Sequence, residues 1–348
     1  MEKLTALQNE GIVLTDAGAY PGQAKKIADL LGARHLDREI KYFPDSDPFW
    51  RSKDNIRGRW VIVHQPLGMT ADGSTADNLC RLLVALDAIG RASASRVDVL
   101  IPYFPGRQDR KSGPREPISA RLFCDCLMLA GGKPLTRSTF MDLHSAQETG
   151  FLPPAFPADH LFAGLLLIEY YKGWFMERNI SLADVCVVGG DLHMVKLVKQ
   201  LARKMSEDTV YAAIDKDRVS AHQTRSDDMI GSVQGKHCLI LDDEVSTYGT
   251  GESAVQFLLS RGAVSVQMAC THGKFADNPL DRFSPGAIER IEASSLNHLA
   301  VTDSLPWRFR FDPPKKIHVI DIAPFLAEVV YRIVNNLSIS DLWEGIKV

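Results

Sequence analysis

Short runs rich in Val, Ile and Leu recur along the chain, at 12–14, 60–64, 97–103, 138–143, 185–188, 210–214, 238–241, 264–269, 298–302 and 317–320. Residues that are apolar consecutively, rather than alternately, mark strands covered on both faces, and parallel sheets are built from such strands. Segments with helical spacing fit between most of them, at 22–31, 75–89, 118–129, 161–175, 194–205, 253–259 and 325–334. The alternation predicts a doubly wound α/β fold carried through two similar halves. The chain has 348 residues, and domains hold roughly 100 to 200 residues, so two domains are expected. The Pro-rich stretch Leu152-Pro153-Pro154-Ala155-Phe156-Pro157 is the natural boundary, because proline ends helices and removes ladder donors. That gives domains 1–155 and 156–348, with a C-terminal tail able to pack back on the first.

Composition narrows the partners. Lys plus Arg is 40 against 43 for Asp plus Glu, a net charge of -3, which lacks the basic excess that phosphate neutralisation by a nucleic-acid binder requires. No apolar run reaches the ~18 residues of a membrane span. The apolar stretch at 163–175 is broken by Glu169 and Lys172, and Met1-Glu2-Lys3 does not open a signal peptide. Six scattered cysteines (Cys80, Cys124, Cys126, Cys186, Cys238, Cys270) form neither metal-ligand pairs nor a disulfide framework. A cytoplasmic protein without membrane or nucleic-acid partners is expected.

Ligands of open α/β sheets bind beyond the carboxyl ends of strands, so the loops there carry the chemistry. Arg107-Gln108-Asp109-Arg110-Lys111 follows one strand end and offers three cations to a polyphosphate, or simply a solvated charged loop. Asp142 and His144 close the next strand, where alternation would put both on one face toward a shared ligand; Asp191 ends another apolar run. Magnesium held by few protein groups and a nucleotide's phosphates would suit them, and packing is the plainer reading of the histidine. Lys216 and Arg218 open a polar loop of about 20 residues, 217–236, able to close over a transferring phosphoryl group. The segment Leu239-Ile240-Leu241-Asp242-Asp243-Glu244-Val245-Ser246-Thr247-Tyr248-Gly249-Thr250-Gly251 is the most informative. A strand delivers two carboxylates suited to vicinal sugar hydroxyls, then a small-residue loop opens a helix whose first N–H groups suit a phosphate. Gly249 to Ala254 also fits the dinucleotide fingerprint G-x-G-x-x-A, but the next strand ends in Met268-Ala269-Cys270 without the acidic residue that fingerprint needs.

These motifs, in this order and spacing, resemble the ribose-phosphate pyrophosphokinases, the PRPP synthetases. The similarity runs from Lys25-Lys26-Ile27-Ala28-Asp29 through Phe43-Pro44-Asp45-Ser46-Asp47 to Val319-Ile320-Asp321-Ile322. The resemblance implies two phosphoribosyltransferase-type domains, each a mostly parallel sheet flanked by helices. It also implies Mg2+-dependent transfer of the β,γ-diphosphoryl group of ATP to the 1-hydroxyl of ribose 5-phosphate, with AMP released, in a homo-oligomer, dimer or hexamer. Under it, Phe43, Asp45, Asp47, Arg107 and Gln108 bind ATP. Asp142, His144 and Asp191 serve the metal, and Lys216 and Arg218 are the catalytic pair. Asp242, Asp243, Ser246, Thr247, Tyr248, Gly249 and Thr250 hold the ribose phosphate.

The chain departs from the family's pattern at the bulky Tyr248, at Leu192-His193-Met194 after Asp191, and in extra residues near 273–286 and 304–315. Such changes suggest a changed acceptor pocket, with ADP-ribose as the alternative acceptor and Tyr248 stacking on the added nucleotide; from a different class, a noncatalytic regulatory homologue is a further alternative.

Overall fold

The structure, a computed structural model, describes residues 11–111, 113–220, 223–277, 286–309 and 312–343; the side chains of 216–227 lie outside that description. The chain divides into two compact units, Met1–Leu161 with Ser304–Phe309 and Asp321–Leu342, and Phe162–Asp303 with Arg310–Ile320 and Trp343–Val348. The division falls past the Pro-rich stretch.

In the first unit the elements run β1 (Ile12–Asp16), α1 (Pro21–Leu31), β2 (Arg34–His35), β3 (Arg38–Tyr42), β4 (Pro48–Ser52), β5 (Trp60–His64), α2 (Thr75–Arg91), β6 (Arg96–Ile101), α3 (Ser119–Gly131), β7 (Leu135–Met141) and β8 (Ala158–Leu161). Six strands form a sheet in the order β2-β1-β5-β6-β7-β8, and every neighbouring pair is parallel. Consecutive residues of β5 and β6, Val61 to Val63 and Val97 to Ile101, are buried because helices cover both faces. One core gathers Val61, Val63, Val97, Val99 and Ile101 against Leu82, Leu86 and Ile89 of α2 and Leu127 of α3. A capping box at Ser74 and Asp77 fixes the start of α2, Asp77 N–H donating to Ser74 Oγ and Ser74 N–H to the Asp77 carboxylate.

The second unit runs α4 (Gly164–Glu177), β9 (Val185–Gly189), α5 (Val195–Met205), β10 (Val210–Ser220), β11 (Gln223–Ile230), β12 (His237–Val245), α6 (Gly249–Ser260), β13 (Ser265–Gly273), α7 (Ala287–Ala293), β14 (His298–Thr302) and β15 (Ile317–Ile320). Its seven strands order as β11-β10-β9-β12-β13-β14-β15, parallel except for the antiparallel edge strand β11. Its core packs Tyr171 and Phe175 of α4 and Leu201 of α5 on Val185, Val187 and Leu239. The last helix, α8 (Ala323–Val334), belongs to the first unit; it buries Leu326, Ala327, Val329 and Val330, and Lys26 of α1 pairs with Asp321 just before it. Each unit is thus a mostly parallel sheet flanked by helices, as the alternation predicts.

Three expectations are corrected. Much of the polar loop expected over 217–236 is strand, because β10 runs on to Ser220 and β11, Gln223–Ile230, pairs antiparallel with it, with irregular register between Asp215 and Lys216. The strand before Asp142 ends at Met141, and Asp142 takes a left-handed backbone, φ 36°, so alternation does not carry through to His144. The Pro-rich stretch leads into β8, which completes the first sheet rather than leaving it.

Candidate functional site

The first unit presents three groups of site residues. The hairpin β3-β4 exposes its tip: the Phe43 N–H donates to the Asp47 carbonyl (3.0 Å), the Ser46 N–H to the Phe43 carbonyl (2.9 Å), and Phe43 is 48% exposed. Lys41 lies 5.7 Å from the Phe43 ring and 4.6 Å from the Phe49 ring, and Asp45 and Asp47 are exposed beside them. The hairpin is tied to α2 by Arg81, whose Nε donates to the Tyr42 hydroxyl. An exposed aromatic face with a neighbouring ammonium suits a flat base.

The loop after β6 holds Arg107, Gln108, Arg110 and Lys111 exposed. It closes on α3, where the Gln108 carbonyl accepts from Ala120 N–H (3.3 Å) and the Ser119 hydroxyl donates to the Gln108 Oε1 (2.6 Å). Beyond β7, the Leu143 N–H donates to His160 Nε2 (3.0 Å), leaving Asp142 half-buried and His144 exposed.

Glu148 is the residue that the motif reading missed. It is 2% exposed, and its carboxyl is pushed up to about 7 by burial and by Asp109, against the Ser145 N–H (3.1 Å) and His144, which favour the ionised form. The spacing Ser145-x-x-Glu148, a capping box on the 3-10 turn Ala146–Phe151, was the available signal. Its carboxyl fills the space where a side chain on Gly106 would stand, so the turn entering Arg107 must be glycine by close approach.

In the second unit, Asp191 caps the 3-10 turn Leu192–Met194; its Oδ1 accepts the Met194 N–H (3.2 Å) and the residue is exposed. Lys216 and Arg218 stand on β10 opposite Ser226 and Thr224, and their side chains lie outside the described residues. The end of β12 brings Asp242 and Asp243, both half-buried, to the loop before α6. The carbonyls of Val245 and Ser246 accept N–H groups from Lys274, Phe275 and Ala276, which pins the loop. At the start of α6 the Glu252 N–H donates to the Tyr248 carbonyl (2.9 Å), so the first helical N–H groups, of Gly249, Thr250 and Gly251, have no acceptor within the helix, an arrangement suited to an anion.

Tyr248 turns its side chain inward. Its backbone is left-handed, φ 65°, its side chain is 3% exposed, and its ring lies on Gly251 with no room for a Cβ there. The ring that would stack on the added nucleotide of an ADP-ribose acceptor is therefore spent on packing the loop.

Among the described residues, no three His, Cys, Asp or Glu side chains gather into a preformed metal cage, and no helix is long and apolar enough to cross a membrane. Magnesium commonly takes one or two protein carboxylates and completes its shell with phosphates and water, a manner of binding that suits Asp142 beside His144 in the first unit and, separately, Asp191 in the second.

Two parallel-sheet units, one ending a strand in paired carboxylates before a small-residue loop at a helix N-terminus, define an α/β protein of the class that binds its ligands beyond the carboxyl ends of its strands. Residues 12–131 match the model of the N-terminal domain of ribose phosphate pyrophosphokinase, and residues 199–344 that of the phosphoribosyl synthetase-associated domain. The chain is 37% identical to a ribose-phosphate pyrophosphokinase of Fusobacterium nucleatum, over 92% of this chain and 94% of that one. It is 36% identical to one from Hyphomonas neptunium, over 91% and 95%. The crystal structure of phosphoribosylpyrophosphate synthetase from Mycobacterium smegmatis superposes with a TM-score of 0.77 at 30% identity, covering 94% of this chain and 99% of that one. The chain belongs to the ribose-phosphate pyrophosphokinase family, and its two units are phosphoribosyltransferase-type domains. It is a transferase of the pyrophosphokinase class.

Proposed function

We propose that this chain moves the β,γ-diphosphoryl group of ATP to the anomeric 1-hydroxyl of ribose 5-phosphate, giving PRPP and AMP. The observation that carries the reading is the end of β12, where Asp242 and Asp243 precede the pinned loop and the open amides of α6, in a chain related over nine-tenths of its length to ribose-phosphate pyrophosphokinases. Ser246, Thr247, Gly249 and Thr250 receive the 5-phosphate, and Asp242 and Asp243 accept from the 2- and 3-hydroxyls. Phe43, Asp45 and Asp47 serve the adenine, in a homo-oligomer through a neighbouring copy, while Arg107 and Gln108 hold the polyphosphate.

The oxygen of the 1-hydroxyl attacks the β-phosphorus, the bond to the α-phosphate oxygen breaks, and the hydroxyl proton passes to solvent. Lys216, Arg218 and Arg107 offset the charge on the transferring oxygens, which is where such enzymes gain most of their rate. Asp142 and His144 on the first unit, and Asp191 on the second, are the groups that would each serve magnesium, which would supply positive charge to the phosphates.

Because the Tyr248 ring is packed inside the loop, no observation favours ADP-ribose over ribose 5-phosphate. Mass analysis of products with ATP, magnesium and each acceptor tests this. Ribose 5-phosphate is expected to gain a diphosphoryl group with the higher kcat/KM, and a preference for ADP-ribose would refute the acceptor.

A further inference from the structure

The loop that receives the phosphate is negatively charged by its own sequence. From Asp242 to Glu252 there are four carboxylates, Asp242, Asp243, Glu244 and Glu252, and not one Lys or Arg. A sugar 5-phosphate is a dianion, and N–H dipoles alone set it against that local charge. Lys274 comes near, but its ammonium is committed to Glu244 at 3.2 Å, with both side chains largely buried.

Helix α7 supplies another cation. Ser294, at its C-cap, and Arg290 stand one turn apart, joined by the Ser294 N–H to the Arg290 carbonyl (2.9 Å), so both address one side of the helix. The Ser294 hydroxyl donates to the Ile291 carbonyl (2.8 Å), so the Tyr248 hydroxyl at 3.2 Å is the donor to Ser294 Oγ, and this docks α7 on the loop. One turn back, Arg290 Nη1 lies 3.5 Å from where a methyl group on Gly249 would stand, at the first residue of α6. Arg290 is half-buried, and among the described residues its guanidinium has no hydrogen-bond or ion-pair partner. The helix is held still by Lys316, whose Nζ donates to the carbonyls of Glu292 and Ser294 (2.8 Å each).

We propose that Arg290 is the cation that meets the 5-phosphate of the acceptor at this loop, a specificity residue for a terminal phosphate dianion; the proposal rests on reading Ser246 to Thr250 as the phosphate loop. The guanidinium offers two N–H donors in a plane to two phosphate oxygens, which an ammonium does not.

Arg290→Met removes the charge and keeps most of the volume. It is expected to raise KM for ribose 5-phosphate about 10- to 100-fold, the range that loss of a charge-assisted contact gives, with KM for ATP and the melting temperature unchanged and with Arg290→Lys intermediate. An unchanged KM for ribose 5-phosphate in Arg290→Met overturns the proposal. Thermal stabilisation by ribose 5-phosphate without ATP separates this from the parent reading. If wild type is stabilised and Arg290→Met is not, Arg290 stands even where no product forms and the assigned reaction fails. Equal stabilisation of both proteins removes Arg290 from the site.

Discussion

At Tyr248 two effects oppose each other. A left-handed backbone, φ 65°, costs a residue with a Cβ about 1 kcal/mol relative to glycine. Burying the ring against Gly251 and hydrogen-bonding its hydroxyl to Ser294 gains more, since truncating a buried aromatic side chain costs about 3 to 5 kcal/mol. Tyr248→Gly is therefore expected to lose about 2 to 4 kcal/mol in urea unfolding, and Tyr248→Phe only about 1 kcal/mol, the worth of one neutral hydrogen bond. A Tyr248→Gly protein as stable as wild type would show that the ring contributes nothing. The sequence showed that Tyr248 is unusual in its loop, but not which way its ring turns, because the deciding contacts, Ser294 and Gly251, lie on α7 and α6 and come together only in the fold. Glu148 was hidden for a related reason. Its capping-box spacing is local, whereas the burial that lifts its carboxyl to about 7 comes from the Gly106 turn on another segment.

Among the elements, the buried parallel strands were legible because burial on both faces writes itself as a continuous apolar run, as in Val185 to Val188. The two antiparallel strand pairs were not. β3 reads Arg-Glu-Ile-Lys-Tyr and β11 Gln-Thr-Arg-Ser-Asp-Asp-Met-Ile, polar sequences suited to solvated or edge strands, where hydrogen bonding rather than burial holds the chain. On α4 an aromatic stack ties the half-buried Tyr170 and Trp174 to β14 and β15. Tyr170 stacks on His318 with centroids 4.6 Å apart, Trp174 stacks on His298 at 5.3 Å, and the Tyr170 hydroxyl lies 2.8 Å from His298 Nε2. Burial, with His318 and Arg178 nearby, lowers the His298 imidazole to about 4, and burial lowers His318 as well. A depressed folded value means that the neutral ring is favoured by the fold. Its stability is present above the ordinary histidine value near 6.5 and is lost as pH falls from there toward 4. Wild type is thus expected to lose melting temperature over this window faster than His298→Phe, which keeps a ring without a titrating group. Parallel curves for the two proteins would show that His298 does not carry this dependence.

For the whole molecule, the fold class and the ordering of the motifs followed from the sequence because each lies on an apolar strand or just past its end. Asp191 and the pair Asp242 and Asp243 are of this kind, and the cation-rich loop at Arg107 follows the same logic. The faces those residues present did not follow, as the left-handed turn at Asp142 shows, since a single backbone inversion cancels the alternation on which the sequence argument rested. Arg290 could not be seen at all, because its partner loop lies some 40 residues earlier and only the fold, which docks Ser294 on Tyr248, brings α7 to the loop. The central claim is that two phosphoryl groups move as a unit from ATP to a sugar hydroxyl, rather than one, as in ordinary kinases. The nucleotide left behind reports this directly. With ATP, magnesium and ribose 5-phosphate, quantitative chromatography is expected to find AMP equal in amount to the phosphorylated sugar, with no ADP; ADP formed in step with that sugar would contradict the account.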